Sequence, residues 1–342
     1  LVKGSNYRMV IKVMDSNNKY SNVYVTNVAT ATTLTLANYV ISQYGNKQGN
    51  NNIYHHDGTL ENGIDDGSYR YAGPSDSVNN YVCFGSDAAT CPEDNLYRII
   101  GVFDGKVKLI KKDFATSTLL GTDGSYVSNN KYKWTNLMSC PSSLSYNLDV
   151  GMNFMANKND IAVSELGGCN KWQYSELNTV NLNTNFINNI GKTWTDKIVL
   201  TDWKVSGGGW PDIANGVIPS SAYQKEIVNA KTTYEAKVGL MYVTDYYFAA
   251  SPSAWALPGF VNDSSNDYKS VTSINWMFKD SEVTITPNSV LTTAVYIISN
   301  DGSISPIDSG NNSENIRPTF FLNSDIIYKS GNGNISNPIR IS

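Results

Sequence analysis

Asn315-Ile-Arg-Pro-Thr-Phe-Phe-Leu-Asn-Ser-Asp-Ile326 brings a cation, a proline and an alternating apolar run together in one short stretch. Pro318 pushes the backbone of Arg317 into extended geometry and away from helix. Phe320, Leu322 and Ile326 then carry an alternation that predicts a strand. An arginine at the mouth of such a strand holds neighbouring loops through its five planar donors. The plainer alternative is an exposed arginine beside a turn. The segment Gly331-Asn-Gly-Asn-Ile-Ser-Asn-Pro-Ile-Arg-Ile341 that follows is rich in turn residues.

The 342 residues suffice for one large domain or two small ones. The formal charge is -4, with lysine and arginine scattered along the chain. Nucleic-acid binding draws on basic patches, so that class is not expected. Only 16% of residues are charged, and Asn, Ser, Thr, Gly and 22 Tyr supply the polarity. Such a surface suits either wet, adaptable contacts or an inert extracellular coat. No run of 18 apolar residues occurs, so no transmembrane segment is expected. Leu1 opens the sequence without a charged leader, and the expectation is that a signal or anchor has been removed or left out.

Cys83, Cys91, Cys140 and Cys169 match no CxxC pattern, and two histidines are too few to complete a metal set with them. An even count in a polar chain predicts two disulfides, Cys83–Cys91 and Cys140–Cys169. Reduced, buried thiols are the alternative.

Working outward, Tyr7, Met9, Ile11 and Val13 predict a strand, paired to a second across the turn Asp15-Ser-Asn-Asn-Lys19. Leu36, Tyr39, Val40 and Tyr44 recur at helical spacing, and Gly45 ends the helix. Residues 46–78 are Asn-, Gly- and Asp-rich and read as linker or decorated loop. Leu96–Phe103 and Lys106–Ile110 flank Asp104-Gly105, the signal of a hairpin with a tight I′ turn. Ser175 caps a short helix, and a second is expected from Thr184 to Ile190. Thr201–Val205 and Val238–Val243 read as strands, with Thr244 capping a helix through Ala250. Ala294–Ile298 and Ser303–Ser305 form a further hairpin around Asn300-Asp-Gly302. Short strands, few helices and long loops make the fold class α+β.

Taken in order, these blocks resemble a family. The hairpin Leu96–Ile110 precedes Trp172-Gln-Tyr-Ser-Glu-Leu177, Leu182-Asn183, Phe186 and Trp194-Thr-Asp-Lys-Ile198. Val238-Gly-Leu-Met-Tyr-Val-Thr-Asp-Tyr246, Asn275-Trp276-Met277, Ile297–Ser303 and Ile316-Arg-Pro-Thr-Phe-Phe-Leu322 complete the series. The order over residues 79–342 is similar to an uncharacterised family of bacterial surface domains, common in gut Firmicutes. That family is related to the C-type-lectin-like fold, in the loop-rich branch that also holds the formylglycine-generating enzymes. The resemblance implies a small twisted antiparallel sheet with flanking helices, Arg317-Pro318 on a central closing strand, and a long loop region. Arg98, Trp172, Trp276, Arg317 and Pro318 then have structural roles. Residues 1–45 fall outside the match and read as an accessory β-hairpin and short helix, or the end of a stalk. Two departures stand out: Tyr97-Arg98 replaces the family's Trp-Arg, and Met277-Phe278 follows Trp276 where Arg-Ser is usual.

On that fold, Trp210, Tyr246, Tyr247, Trp255, Phe260 and Tyr268 are expected on the loop face as ligand-binding aromatics. Catalysis by Cys83 and Cys91 is not expected, since no base lies near them in sequence. His55-His56-Asp57 alternate in direction on an extended chain, which does not favour one shared metal; a surface loop is expected. Glu165, Glu176, Asp202 and Asp245 are the carboxylates considered for glycoside hydrolysis. No cofactor is expected other than calcium, for which Thr286-Pro287-Asn288, Val261-Asn262-Asp263, Asp65-Asp66-Gly67 and Asp263–Asp267 are candidate segments. The expectation is a non-enzymatic, extracellular protein of the bacterial cell surface, an adhesin or display domain binding a glycan or a partner protein. The alternatives are a filament or pilus subunit that assembles through its N-terminal strands with copies of itself, and a carbohydrate-active enzyme.

Overall fold

The computed structural model describes residues 6–7, 10–21, 24–25, 29–30, 33–135, 155–156, 161–162, 170–261, 266–310 and 312–342. The elements used below, in chain order, are β1 (Val10–Ile11), β2 (Tyr24–Val25), α1 (Leu36–Tyr44), β3 (Ile53–His55), β4 (Tyr69–Tyr71), β5 (Tyr81–Cys83), β6 (Leu96–Phe103) and β7 (Lys106–Lys111). They continue with α2 (residues 177–190), β8 (Thr201–Lys204), β9 (Thr233–Ala236), β10 (Val238–Gly239), α3 (Val243–Ala249), β11 (Glu282–Pro287), β12 (Ala294–Ile298), β13 (Ile304–Asp308) and β14 (Thr319–Phe321).

A seven-stranded antiparallel sheet forms the centre, in the order β10-β14-β7-β6-β4-β3, with β5 paired to the other half of β6. The β6–β7 hairpin turns at Asp104 (φ 47°) and Gly105 (φ 71°), the left-handed pair that a I′ turn requires. Every residue of β6 but Phe103 is buried, so the strand is covered on both faces. The pairing of β6 shifts register between Ile99 and Gly101, and a Cβ on Gly101 would stand 2.4 Å from the Tyr69 carbonyl oxygen. Glycine at that point lets β4 approach. The strand β14 follows Arg317-Pro318 directly and lies between β10 and β7, with Phe320 buried against Phe84 and Tyr97. A second sheet, β11-β12-β13, packs against α3, and β8 pairs with β9. Helices and antiparallel sheets are thus mixed, an α+β architecture.

Four sequence expectations change. Residues 46–78 supply β3 and β4 to the central sheet; strands of three residues are too short to show a period among so many turn residues. Residues 177–190 form one unbroken helical run, wide-wound from Leu177 to Phe186 and then α-helical from Ile187 to Ile190. No glycine or proline separates the two segments, and Ser175 Oγ caps the run by accepting from the Asn178 N–H at 3.3 Å. Of the strand expected at 238–243, only Val238–Gly239 pairs. The Asp245 carboxylate takes the Tyr242 N–H at 2.9 Å and starts α3 there, with Thr244 inside its first turn. Within residues 1–45, α1 belongs to the core: Leu36 and Val40 are buried, the Leu36 N–H donates to the Ile326 carbonyl at 2.7 Å, and Tyr39 stacks on Tyr328.

Cys83 and Cys91 are joined in a disulfide. Cys140 and Cys169 lie outside the described residues. Among the described residues, no helix is long and apolar enough to cross a membrane.

Candidate functional site

The expected loop-face aromatics divide four to two. Tyr246 and Tyr247 stand on α3 at 0% exposure, and Trp255 and Tyr268 are equally enclosed. Their polar ends reach backbone carbonyls: Tyr246 to Gly302 (3.1 Å), Tyr247 to Ile213 (3.0 Å), Trp255 to Ala250 (3.0 Å) and Tyr268 to Tyr247 (2.5 Å). Burial pushes all three phenols up. These four rings are core side chains whose polar tips are satisfied internally, so they offer a ligand no surface, contrary to expectation. Trp210 is 39% exposed, and Phe260 is half-buried beneath the Lys269 ammonium, 4.7 Å from its ring centre.

Arg98, Trp172, Trp276, Arg317 and Pro318 are all buried. Arg98 lies between the Tyr81 and Trp276 rings, 4.5 Å from each centre, and donates to Asn80, Ser75 and two backbone carbonyls. Burial, helped by the nearby Arg317 charge, brings its guanidinium down to about 10.

A surface cavity of about 390 Å³ is a polar groove between the turn after β8 and the end of β11. Gly207 has a φ of +57°, and a Cβ there would lie 1.7 Å from the Pro287 carbonyl oxygen, so the glycine run lets the two segments close on each other. The Ser289 N–H and the Tyr296 hydroxyl both donate to the Gly208 carbonyl at 3.1 Å, and the Asn170 amide donates to the Asn288 and Ala294 carbonyls. Hydrogen-bonded backbone therefore forms the floor. Ser206, Asn229, Thr232, Ser289 and Thr292 line the walls together with Lys171, Lys225, Lys231 and Asp212. Lys225 pairs with Asp212 at 3.3 Å, which leaves the groove net positive on a chain of net charge -4. Trp210 follows the glycine run directly and precedes Asp212 by two residues.

The calcium candidates fare differently. Asn288 Oδ1 accepts the Val290 and Leu291 N–H groups at 2.9 Å, and its Nδ2 donates to the Tyr296 hydroxyl, so its side chain has no oxygen to spare. Asp66 is likewise engaged, with Ser68, Arg70 and the Tyr223 hydroxyl. Asp267 is buried, with Lys269 3.8 Å away, while Asn262 and Asp263 lie outside the described residues. Among the described residues, no group of three or more His, Cys, Asp or Glu side chains is placed to hold a metal.

His55 is half-exposed, stacked on Tyr69 and 3.0 Å from Asp57. His56 is fully buried against Phe248 and Trp255, which corrects its surface-loop reading: it alternates inward at the end of β3. Burial and the nearby Arg70 charge bring its imidazole down to about 3. Of the carboxylates considered for hydrolysis, Glu165 lies outside the described residues, and Glu176 is buried and accepts the Thr135 hydroxyl. Asp202 and Asp245 line one cavity of about 170 Å³.

That second cavity holds a cluster absent from the sequence expectations. Lys108, on β7, is 2% exposed, and its Nζ lies 2.5 Å from Asp245 Oδ2. Four rings enclose the ammonium: Tyr242 at 4.4 Å, Phe321 at 5.2 Å, Trp203 at 5.4 Å and Phe103 at 5.7 Å. Burial pulls Lys108 below its ordinary value, against the opposing pull of Asp245. Arg70 Nη1 stands 3.8 Å from Asp245 Oδ1, and Arg70 also pairs with Asp66 at 2.7 Å. Burial would lower Arg70, but Asp66, Tyr223 and Asp245 outweigh it and hold the guanidinium up. Glu226 accepts the Val243 and Thr244 N–H groups at the start of α3, and burial pushes its carboxyl up. The one sequence signal for this cluster is a lysine in the middle of a strand that is apolar on both sides of it. No family model, curated protein or solved structure matches this chain.

Proposed function

We propose that the chain is a non-enzymatic display domain of the bacterial cell surface, of C-type-lectin-like architecture, that binds an acidic glycan in the polar groove between Gly207 and Asn288. One observation carries the reading: a groove of about 390 Å³, floored by hydrogen-bonded backbone and walled by hydroxyls, amides and an excess of lysine. Its volume falls in the range of small-molecule sites. Saccharides present many hydroxyls and suit such a lining, while Lys171 and Lys231 attract a carboxylate or sulfate. The exposed Trp210 offers a flat apolar face to a sugar ring. The resemblance to surface domains supports the location, and the antiparallel sheet with β14 inside it supports the architecture.

An array of neutral and acidic glycans, followed by calorimetry on the hits, tests the proposal. Binding of uronic, sialic or sulfated glycans is expected, weakened tenfold or more in Trp210→Ala and in Lys231→Ala. A silent array, or hits that both variants keep at full affinity, overturns it.

A second reading has its own observation. The N-terminal hairpin exposes Val10 (58%), Val13 (61%), Met14 (53%) and Tyr20 (66%), an apolar surface around the two-residue strand β1. Exposed apolar strand edges add strands to neighbouring copies, as a filament subunit requires. Concentration-dependent assembly by size-exclusion chromatography and negative-stain imaging supports this reading; a monomer at all concentrations rejects it.

A further inference from the structure

We propose that Lys108 and Asp245 condense into an intramolecular amide that ties β7 of the central sheet covalently to α3. The two groups meet the requirements of that reaction in position, enclosure and proton inventory. Position comes first: Nζ and Oδ2 are 2.5 Å apart, and the residues are 137 apart in sequence, each fixed on a regular element. The Asp245 carboxylate is further held by the Tyr242 N–H at 2.9 Å, which sets its orientation at the start of the helix. An amine held at a carboxyl carbon in this way gains the high effective concentration of an intramolecular reaction.

Enclosure follows from the exposures of 2% for Lys108 and 3% for Asp245 and from the four rings around the ammonium. Water drives amides back toward hydrolysis, and a site that excludes it favours condensation. An ion pair taken out of water has also lost most of the hydration that makes it inert. Burial pulling Lys108 below its ordinary value works in the same direction, toward the free amine that attacks.

The ion pair carries every proton the step needs. One proton passes from Nζ to Oδ2, leaving a neutral amine and a neutral carboxylic acid. The nitrogen lone pair then attacks Cγ of Asp245, and the new C–N bond places negative charge on Oδ1. Arg70 Nη1, 3.8 Å from that oxygen, is the cation that stabilises it. A second proton moves from nitrogen to Oδ2, the Cγ–Oδ2 bond breaks, and one water leaves. No oxidant, reductant or cofactor enters the balance. The cavity of about 170 Å³ lined by both residues has room for the released water.

Intact mass spectrometry of the purified, reduced and denatured full chain tests the proposal directly. The expected mass is lower than the sequence mass by one water molecule. Proteolysis is expected to release a branched peptide that joins the segment of Lys108 to that of Asp245. Lys108→Arg keeps the cation and Asp245→Ala removes the acceptor; both are expected at their full sequence masses. The readout is taken on denatured protein, so it stands whether or not the variants fold well. A wild-type mass equal to the sequence mass overturns the proposal, as does a one-water deficit that persists in Lys108→Arg. The outcome is independent of glycan binding, which the groove variants test separately.

Discussion

Arg317 and His56 are both enclosed, and the protein satisfies them in opposite ways. Arg317 meets its carboxylate: Nε donates to Glu282 at 2.7 Å, and Nη2 reaches the same carboxyl and the Met277 carbonyl at 2.6 Å. Burial pushes Glu282 up against the pull of Arg317, so removing the arginine strands an acid in the core. Arg317→Ala is therefore expected to cost about 3–5 kcal/mol of folding stability, the usual consequence of breaking a buried pair from one side. Urea denaturation measures it; unchanged melting with lost ligand binding would move Arg317 from scaffold to site. His56 has no hydrogen-bond partner at either ring nitrogen among the described residues and stays neutral in the fold. Its folded value, about 3, lies below the ordinary 6.5, so as pH falls through 6.5 the unfolded chain takes up a proton that the folded chain refuses. Stability is then full above 6.5 and declines by about 1.4 kcal/mol per pH unit between roughly pH 6 and 4. In His56→Phe that slope is expected to vanish, while the losses from carboxylates such as Asp66 remain at lower pH. An equal slope in the variant would assign the acid sensitivity elsewhere.

At the scale of elements, what the sequence reveals tracks turn and cap chemistry. Asp104-Gly105 marked the β6–β7 hairpin because I′ turns demand left-handed residues, and both have positive φ. Gly45 marked the end of α1 for the same reason, with a φ of 58°. The strands β3 and β4 carried no such signal, since each has three residues, with β4 registered on β6 and β3 on β4. The continuity of α2 was hidden as well: Asn183, within the apparent break, bonds outward to the Val238 carbonyl and N–H, a tertiary contact that no local pattern reports. The Cys83–Cys91 link was legible from an even cysteine count and the nearness of the two residues in the chain. It joins the end of β5 to the loop before β6, whose strands already pair. Replacing both cysteines by serine opens a loop of eight residues' separation and is expected to cost about 2–3 kcal/mol on the chain-entropy relation. Far-ultraviolet circular dichroism should stay unchanged while the thermal midpoint falls. An unchanged midpoint would mean that the β5–β6 pairing alone holds the loop closed.

Across the whole molecule, the sites proved less legible than the scaffold because they are assembled by topology. Lys108 and Asp245 come together only because β7 sits inside the sheet and α3 packs across it, and the groove needs the glycine run after β8 to close on the end of β11. Aromatic clustering in sequence pointed to residues 210–276, yet most of those rings fill the core: in a chain so low in charged residues, tyrosine serves as both core and polar connector. The N-terminal hairpin is the reverse case. Its apolar side chains at Val10, Val13, Met14 and Tyr20 are exposed, and among the described residues the first buried one is Leu36. A segment with little burial contributes little to the cooperative transition. Deleting residues 1–30 should therefore leave the melting temperature within about 1–2 °C of the full chain, because a contribution of a few tenths of a kcal/mol moves a protein of this size no further. If the full chain assembles, the same deletion should leave it monomeric on size-exclusion chromatography. A fall of several degrees would show that the hairpin belongs to the folding unit, and assembly that survives the deletion would place the self-association surface elsewhere on the molecule.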